Sequence, residues 1–160
     1  MAINHEDFRD ALRHFPAGVT LVTVRSGEER HGLTVSAFVS ISPTPPLISV
    51  IIDHKGRGHE LLEHSDAVFA VNILREGQEE LSNRFAWSKE DRFAVGDWGT
   101  AVTGAPILHD ALAWLDCTVY SRHTAGTHTI YIGEVQASKV NFPDAKPLVY
   151  WNRGYRVIQD

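Results

Sequence analysis

The 160-residue chain is 43% hydrophobic and 22% charged with a formal charge of -5, which is the composition of one globular domain over residues 1–160 and excludes long disorder. The acidic balance offers no basic footprint for nucleic acid or an anionic membrane, and no apolar run is long enough to cross a bilayer. Cys117 is the sole cysteine, so no internal disulfide can form, and the acidic opening MAINHEDFRD lacks the basic-then-apolar pattern of a signal peptide, so a cytoplasmic protein is expected.

Asn4 can cap a first helix with Asp7 at its third position, and Phe8, Leu12 and Phe15 recur at helical spacing until Pro16 and Gly18 end it. That helix should lie on the core. The period then changes. Gly18 to Val24 and Gly32 to Ser42 read as two strands of an antiparallel hairpin around the polar turn RSGEERH. The Pro-rich stretch Ser42 to Pro46 leads into Leu47 to Asp53, an apolar run short enough for a fully buried strand. GHELLEHS reads as a short helix, Ala67 to Leu74 as a strand and Gln78 to Ala86 as a second helical segment. A Trp- and Gly-containing connection follows, up to Pro106. Three more strands are expected at Ala113 to His123, His128 to Val140 and Pro147 to Ile158. Six or seven strands with only short helices between some of them do not make alternating βαβ units, so a mainly β, mostly antiparallel barrel with short outer helices fits best.

Within Gly32 to Ser42 the alternation sorts chemically. Leu33, Val35, Ala37, Val39 and Ile41 face one way, and Thr34, Ser36, Phe38, Ser40 and Ser42 the other. Such a row of hydroxyls is either a solvated strand face or a wall for a flat heteroaromatic ligand with donors and acceptors on its rim. In DHKGRGHELL, Lys55 and Arg57 stand among glycines before a helix start, which is either a solvated basic turn or a phosphate site. His59 and His64 are five residues apart and point about 140° from one another on a helix, which does not suit a shared metal ion, so no protein-bound metal is expected. Cys117, alternating with strand-like neighbours, reads as a small buried hydrophobe. His128 opens a strand on the same face as Ile130 and Ile132, where an imidazole is either a core side chain or a functional group. No nucleophile elbow, paired carboxylates or Ser-His-Asp grouping stands out, so a cofactor would carry any chemistry.

In order and spacing, the segments FRDALRHFPAGVTLVT, GLTVSAFVSISPTPPL, AVNIL, LSNRFA, APILHDALAWLDC, THTIYIGEV and PLVYWNRGYR resemble the short-chain flavin reductases, the reductase components of two-component flavin-dependent monooxygenases. The resemblance implies a split β-barrel, FMN-binding or FAD-binding, usually a homodimer. It also implies reduction of the flavin by NADH or NADPH and delivery to a separate flavin-dependent oxygenase. The strand carrying Thr34, Val35, Ser36, Ala37, Phe38 and Ser40 would line the isoalloxazine, with Ile51 from the following strand. Lys55, Gly56 and Arg57 would lie near the flavin phosphate, and the segment Ser82 to Ala86, with Phe85 and Ala86, would approach from a helix. His128 would orient the nicotinamide, with Tyr155 close to the same pocket. The family's Gly-Asp-His motif reads Gly126, Thr127, His128 here, so a hydroxyl stands where a carboxylate is usual. Two other classes share the barrel: an FMN-retaining electron-transfer flavoprotein and a non-catalytic flavin-binding module.

Overall fold

The computed structural model describes residues 2–160; Met1 lies outside the described residues. Helix α1 (His5–Leu12) starts as expected, with the Asn4 side chain accepting the Asp7 N–H at 2.8 Å. Strands β1 (Ala17–Gly18), β2 (Thr20–Ser26), β3 (Glu29–Val35), β4 (Phe38–Pro43) and β5 (Pro46–Asp53) follow, then α2 (Arg57–Leu62), β6 (Val68–Ile73) and α3 (Glu79–Trp87). A short 3-10 turn (Arg92–Ala94) and the small strands β7 (Trp98–Gly99) and β8 (Ile107–Leu108) lead to two long strands, β9 (Ala113–Ala125) and β10 (His128–Val140). The chain closes with β11 (Val149–Trp151) and β12 (Gly154–Arg156).

Every strand pairing is antiparallel, and seven strands form one sheet in the order β3-β2-β6-β9-β10-β5-β4. The link from Val35 to Phe38 joins its two edges, β3 also touches β5, and the Ile51 N–H donates to the Ala37 carbonyl at 3.1 Å. The sheet therefore curls into a split β-barrel with short helices outside. Its interior is filled by Val22, Val24, Val50, Ile52, Phe69, Val71 and Tyr131, joined by Leu61 and Leu62 from α2. Cys117 belongs to this core, and burial pushes its thiol up to about 12, which keeps it inert. Glycine is required at position 133: a Cβ there would stand 2.4 Å from Phe69 Cζ, where β10 shifts register against β9.

Four expectations need correction. Helix α1 does not lie on the core, because Phe8, Leu12 and Phe15 are 50%, 56% and 78% exposed. The barrel is filled without them, and the end of this segment is held through its main-chain carbonyls instead, His14 accepting from the Trp151 side-chain Nε1 and Arg13 from the Asn152 N–H, both at 2.9 Å. Gly32 to Ser42 is not one strand. It breaks at Ser36 and Ala37, where the Phe38 N–H donates back to the Ser36 carbonyl at 2.9 Å. Alternation does not carry through that break, so Phe38 packs on the core while Val39 and Ile41 are exposed. Pro147 to Ile158 likewise folds into the β11–β12 hairpin, turning on Asn152 and Arg153 at φ 48° and 62°, the left-handed pair that a two-residue hairpin loop needs. Strand β5 is not fully buried either: Ile48, Ser49, Val50 and Ile52 are buried, but Leu47 is half-buried, Ile51 is 37% exposed and Asp53 is exposed.

Candidate functional site

A cavity of about 750 Å³ opens between β3, the start of α2, α3 and the β11–β12 hairpin. Its walls meet because specific side chains draw them together. Gly32 lets α3 come close: a Cβ there would sit 2.4 Å from Phe85 Cε1. Phe85 is fully buried, edge-on to Phe93 at 5.4 Å and tilted against Trp98 at 5.3 Å. Thr34 Oγ1 donates to the Ser82 carbonyl at 2.5 Å, tying β3 to α3. On the opposite side the Tyr155 hydroxyl lies 2.8 Å from both Ser82 Oγ and Asn83 Oδ1, tying the hairpin to the same helix.

Seven of the expected residues line this cavity: Thr34, Ser36, Gly56, Arg57, Phe85, Ala86 and Tyr155. The other seven do not. Val35 is buried behind the wall and Phe38 packs into the barrel. Ala37 is exposed at the strand break and Ser40 beyond it, Ile51 lies on β5, and Lys55 is exposed with its N–H bound to Asp53 Oδ1 at 2.9 Å. The hydroxyl row expected from Thr34 to Ser42 is thus cut, and only Thr34 and Ser36 of it face the cavity.

His128 stands at the start of β10, half-buried, on a face shared with Ile130 and Ile132, while Thr129 and Tyr131 point into the barrel. It is therefore not a core histidine. Thr127 Oγ1 lies 2.9 Å from His128 Nδ1, so the hydroxyl does partner the ring. Directly across the strand pair is Asp53. The Lys55 N–H, above all, holds the Asp53 carboxyl below its ordinary range, and the neighbouring His128, Lys55 and His54 add to this. His128 so adjoins the Asp53-to-Gly56 turn at the cavity's edge without lining it. The other two histidines of interest are used structurally: His59 Nδ1 lies 2.6 Å from the Tyr131 hydroxyl, and His64 Nδ1 lies 2.8 Å from Ser26 Oγ.

Arg57 lies in the wall with its guanidinium engaged: Nε and Nη2 donate to the Glu29 carboxylate at 2.6 Å each, and Nη1 donates to Glu60. These pairs raise the Arg57 pKa, so it is cationic at any working pH. The helix it opens has no side-chain cap at Gly56, leaving first-turn N–H groups beside the cavity free for an acceptor. Sequence reading missed His31, Trp87, Arg92 and Arg153 of the lining. Arg92 sits in a connection with no periodicity, which gave no reason to single it out. Arg153 could have been found from the Asn-Arg-Gly sequence, a turn signal inside a strand-like run.

A model of the flavin reductase like domain family matches residues 12–159. The chain belongs to this family. Among curated relatives, this flavin reductase-like chain is 39% identical to the actinorhodin polyketide dimerase of Streptomyces coelicolor, over 99% of its own length and 89% of that protein. It is 38% identical to the reductase component of 4-hydroxyphenylacetate 3-monooxygenase from Thermus thermophilus, over 94% of its length and 95% of that protein. Among solved structures, the NADH:FAD oxidoreductase SgcE6 of Streptomyces globisporus C-1027, in complex with NAD and FAD fragments, superposes with a TM-score of 0.90. The two are 31% identical, and the match covers 99% of this chain and 97% of that one.

Proposed function

We propose that this flavin reductase-like protein is an NAD(P)H:flavin oxidoreductase that supplies reduced FMN or FAD to a separate flavin-dependent oxygenase. The observation that carries this reading is the cavity of about 750 Å³, walled by Phe85 and Leu33 and edged by the hydroxyls of Thr34, Ser36 and Tyr155. An apolar slot with a few placed hydroxyls suits a ring system that is flat, apolar on its faces and polar at its rim. Thr34 spends its proton on the Ser82 carbonyl and so offers lone pairs to a ring N–H. The uncapped first turn of α2, with Arg57, offers donors to the flavin phosphate, and this is the fit expected of the Gly56 turn.

Bound flavin supplies the hydride acceptor, with reduced nicotinamide as donor. The chain's own contribution is positioning: two stacked rings with reacting atoms roughly 3–3.5 Å apart need no protein nucleophile. His128, oriented by the Thr127 hydroxyl, is assigned to the nicotinamide nucleotide at the edge of the site. Of the remaining family-like candidates, Val35 lies behind the wall and Lys55 beside the Gly56 turn, while Ala37, Phe38, Ser40 and Ile51 do not line the cavity. We further read the protein as a cytoplasmic homodimer. The exposed apolar side chains of α1 and β4 support the dimer, and the monooxygenase component among the relatives supports the oxygenase partner.

The test is to add NADH or NADPH to the purified protein with excess FMN or FAD and follow nicotinamide oxidation. Turnover that requires both partners is expected. A yellow protein inert to both nicotinamides would instead indicate an electron-transfer flavoprotein. A protein with neither flavin affinity nor turnover would indicate a non-catalytic barrel.

A further inference from the structure

A recess of about 330 Å³ opens between the β2–β3 hairpin and the segment joining β7 to β8, and none of the residues lining it lines the large cavity described above. Arg25 and Arg30 both line it and stand directly opposite one another on the two strands. Like charges so placed repel, and no carboxylate among the described residues forms an ion pair with either guanidinium. Glu28 also borders the recess, but it is exposed and pairs with neither. In a chain of net charge -5, two facing cations without a counter-charge are a local reversal of sign that favours an anion.

The recess is built rather than a chance hollow. Arg25 is fixed by its backbone contacts: Nε donates to the Gly27 carbonyl at 3.0 Å and Nη1 to the Gly104 carbonyl at 3.4 Å, while Nη2 has no partner among the described residues. Gly104 makes room for this at φ 91°, since a Cβ there would collide with Nη1. Arg30 lies over the Phe93 ring, 4.3 Å from its centroid. Trp98 supplies an apolar wall, because its indole N–H is already donated to the Val95 carbonyl at 2.8 Å and the rest of the ring is carbon. The same indole is tilted against Phe85 at 5.3 Å and edge-on to Phe93 at 4.9 Å. Phe85 in turn walls the large cavity, so one side chain separates the two sites.

We propose that this recess is an effector site for a small aromatic carboxylate, whose ring packs on Trp98 and whose carboxylate is held by Arg25 and Arg30. Planar guanidinium groups match the paired oxygens of a carboxylate, and a flat ring matches the indole. The volume takes a one-ring molecule and is too small for a dinucleotide. Such a ligand offsets a repulsion that the fold leaves uncompensated. By fixing Trp98 it also stiffens the Phe85 wall, so FMN binds more tightly when the recess is filled. The carboxylate site stands apart from the flavin reductase reading; only its effect on FMN rests on that reading.

Sodium benzoate is the probe, with benzamide as its uncharged counterpart, at constant ionic strength. The Trp98 indole N–H signal, identified by its absence in Trp98→Phe, is followed by NMR through titrations of wild type, Arg25→Gln and Arg30→Gln. Benzoate is expected to shift it with a Kd on the order of 1 mM, and to bind each arginine variant about fivefold more weakly, as benzamide binds wild type. Saturating benzoate should tighten FMN about threefold, and saturating FMN should tighten benzoate by the same factor. Arg25→Gln should keep the wild-type FMN affinity in the absence of benzoate. Equal affinity for benzamide, or benzoate binding unchanged in both variants, would overturn the site. Benzoate that weakens FMN would place it in the large cavity, and an FMN affinity that does not move would remove the effector role; either result overturns the inference. A wild type that binds no FMN would overturn the flavin reductase reading, while the benzoate titration still decides the carboxylate site.

Discussion

Tyr155→Phe tests how the cavity is held open. The substitution keeps the ring, which packs edge-on to Tyr150 with centroids 5.4 Å apart, and removes only the hydroxyl. That hydroxyl sits 2.8 Å from both Ser82 Oγ and Asn83 Oδ1 and links the hairpin to α3. Its single proton serves Asn83, so Ser82 donates to the phenol oxygen. Two such bonds contribute about 1–3 kcal/mol together, and water can replace part of them at a half-buried site, so a loss near 1 kcal/mol is the working figure. Urea unfolding should therefore shift by about 1 kcal/mol, and flavin affinity should fall about three- to tenfold as the wall loosens. A double-mutant cycle with Ser82→Ala should show coupling of about 0.5 kcal/mol or more. If Tyr155→Phe matched wild type in both stability and flavin affinity, the hydroxyl would not be what fixes the hairpin to α3.

His128→Ala should raise the nicotinamide KM about three- to tenfold while changing flavin affinity less; an unchanged KM with lost flavin affinity would reverse its assignment. Arg57→Ala should weaken FMN more than riboflavin in parallel titrations, by only about threefold because two carboxylates already share its donors. Equal weakening of both flavins would show that the Gly56 turn has another part. Gly133→Ala should destabilise the fold by about 1–3 kcal/mol in urea unfolding, because the new methyl meets Phe69 inside a packed barrel; an unaltered midpoint would mean that β10 shifts freely there. Burial first, then the charges of Arg92 and Arg57, hold the His31 imidazole below its ordinary value of 6.5. The folded chain thus resists a proton that the unfolded chain accepts. Stability is present in full above about pH 6.5 and falls as pH drops through the folded pKa. His31→Gln should lose stability less steeply than wild type between about pH 7 and pH 5, and identical slopes would contradict this.

Much of the barrel was legible because its long strands declare themselves. The β9–β10 pair alternates over many residues and Cys117 is buried as expected, but on β10 the inward face is that of Thr129 and Tyr131 rather than the apolar-looking face of Ile130 and Ile132. The Asn4 cap was legible for a local reason, since a side-chain oxygen and an N–H three residues on suffice to make it. What escaped was set by tertiary contact. The break at Ser36 and Ala37 leaves no mark in an alternating run, yet it splits the hydroxyl row and sends half of the expected flavin wall elsewhere. The exposure of Phe8, Leu12 and Phe15 depends on how full the barrel already is, which helical spacing does not report. Arg57 looked like a free cation because its partner Glu29 lies 28 residues away in sequence, at the start of β3. Arg92 lies in an aperiodic connection and gains meaning only where it meets His31 in the cavity wall.

In the proposed function, the cavity places a reduced nicotinamide against a flavin for direct hydride transfer. Rapid anaerobic mixing of the protein and flavin with NADH, and with NADH deuterated at the transferred C4 position, tests it most directly. Bleaching of the flavin absorbance at a rate that depends on the protein and slows with deuterium is expected. Flavin that stays oxidised, or bleaches equally fast without the protein, would contradict it.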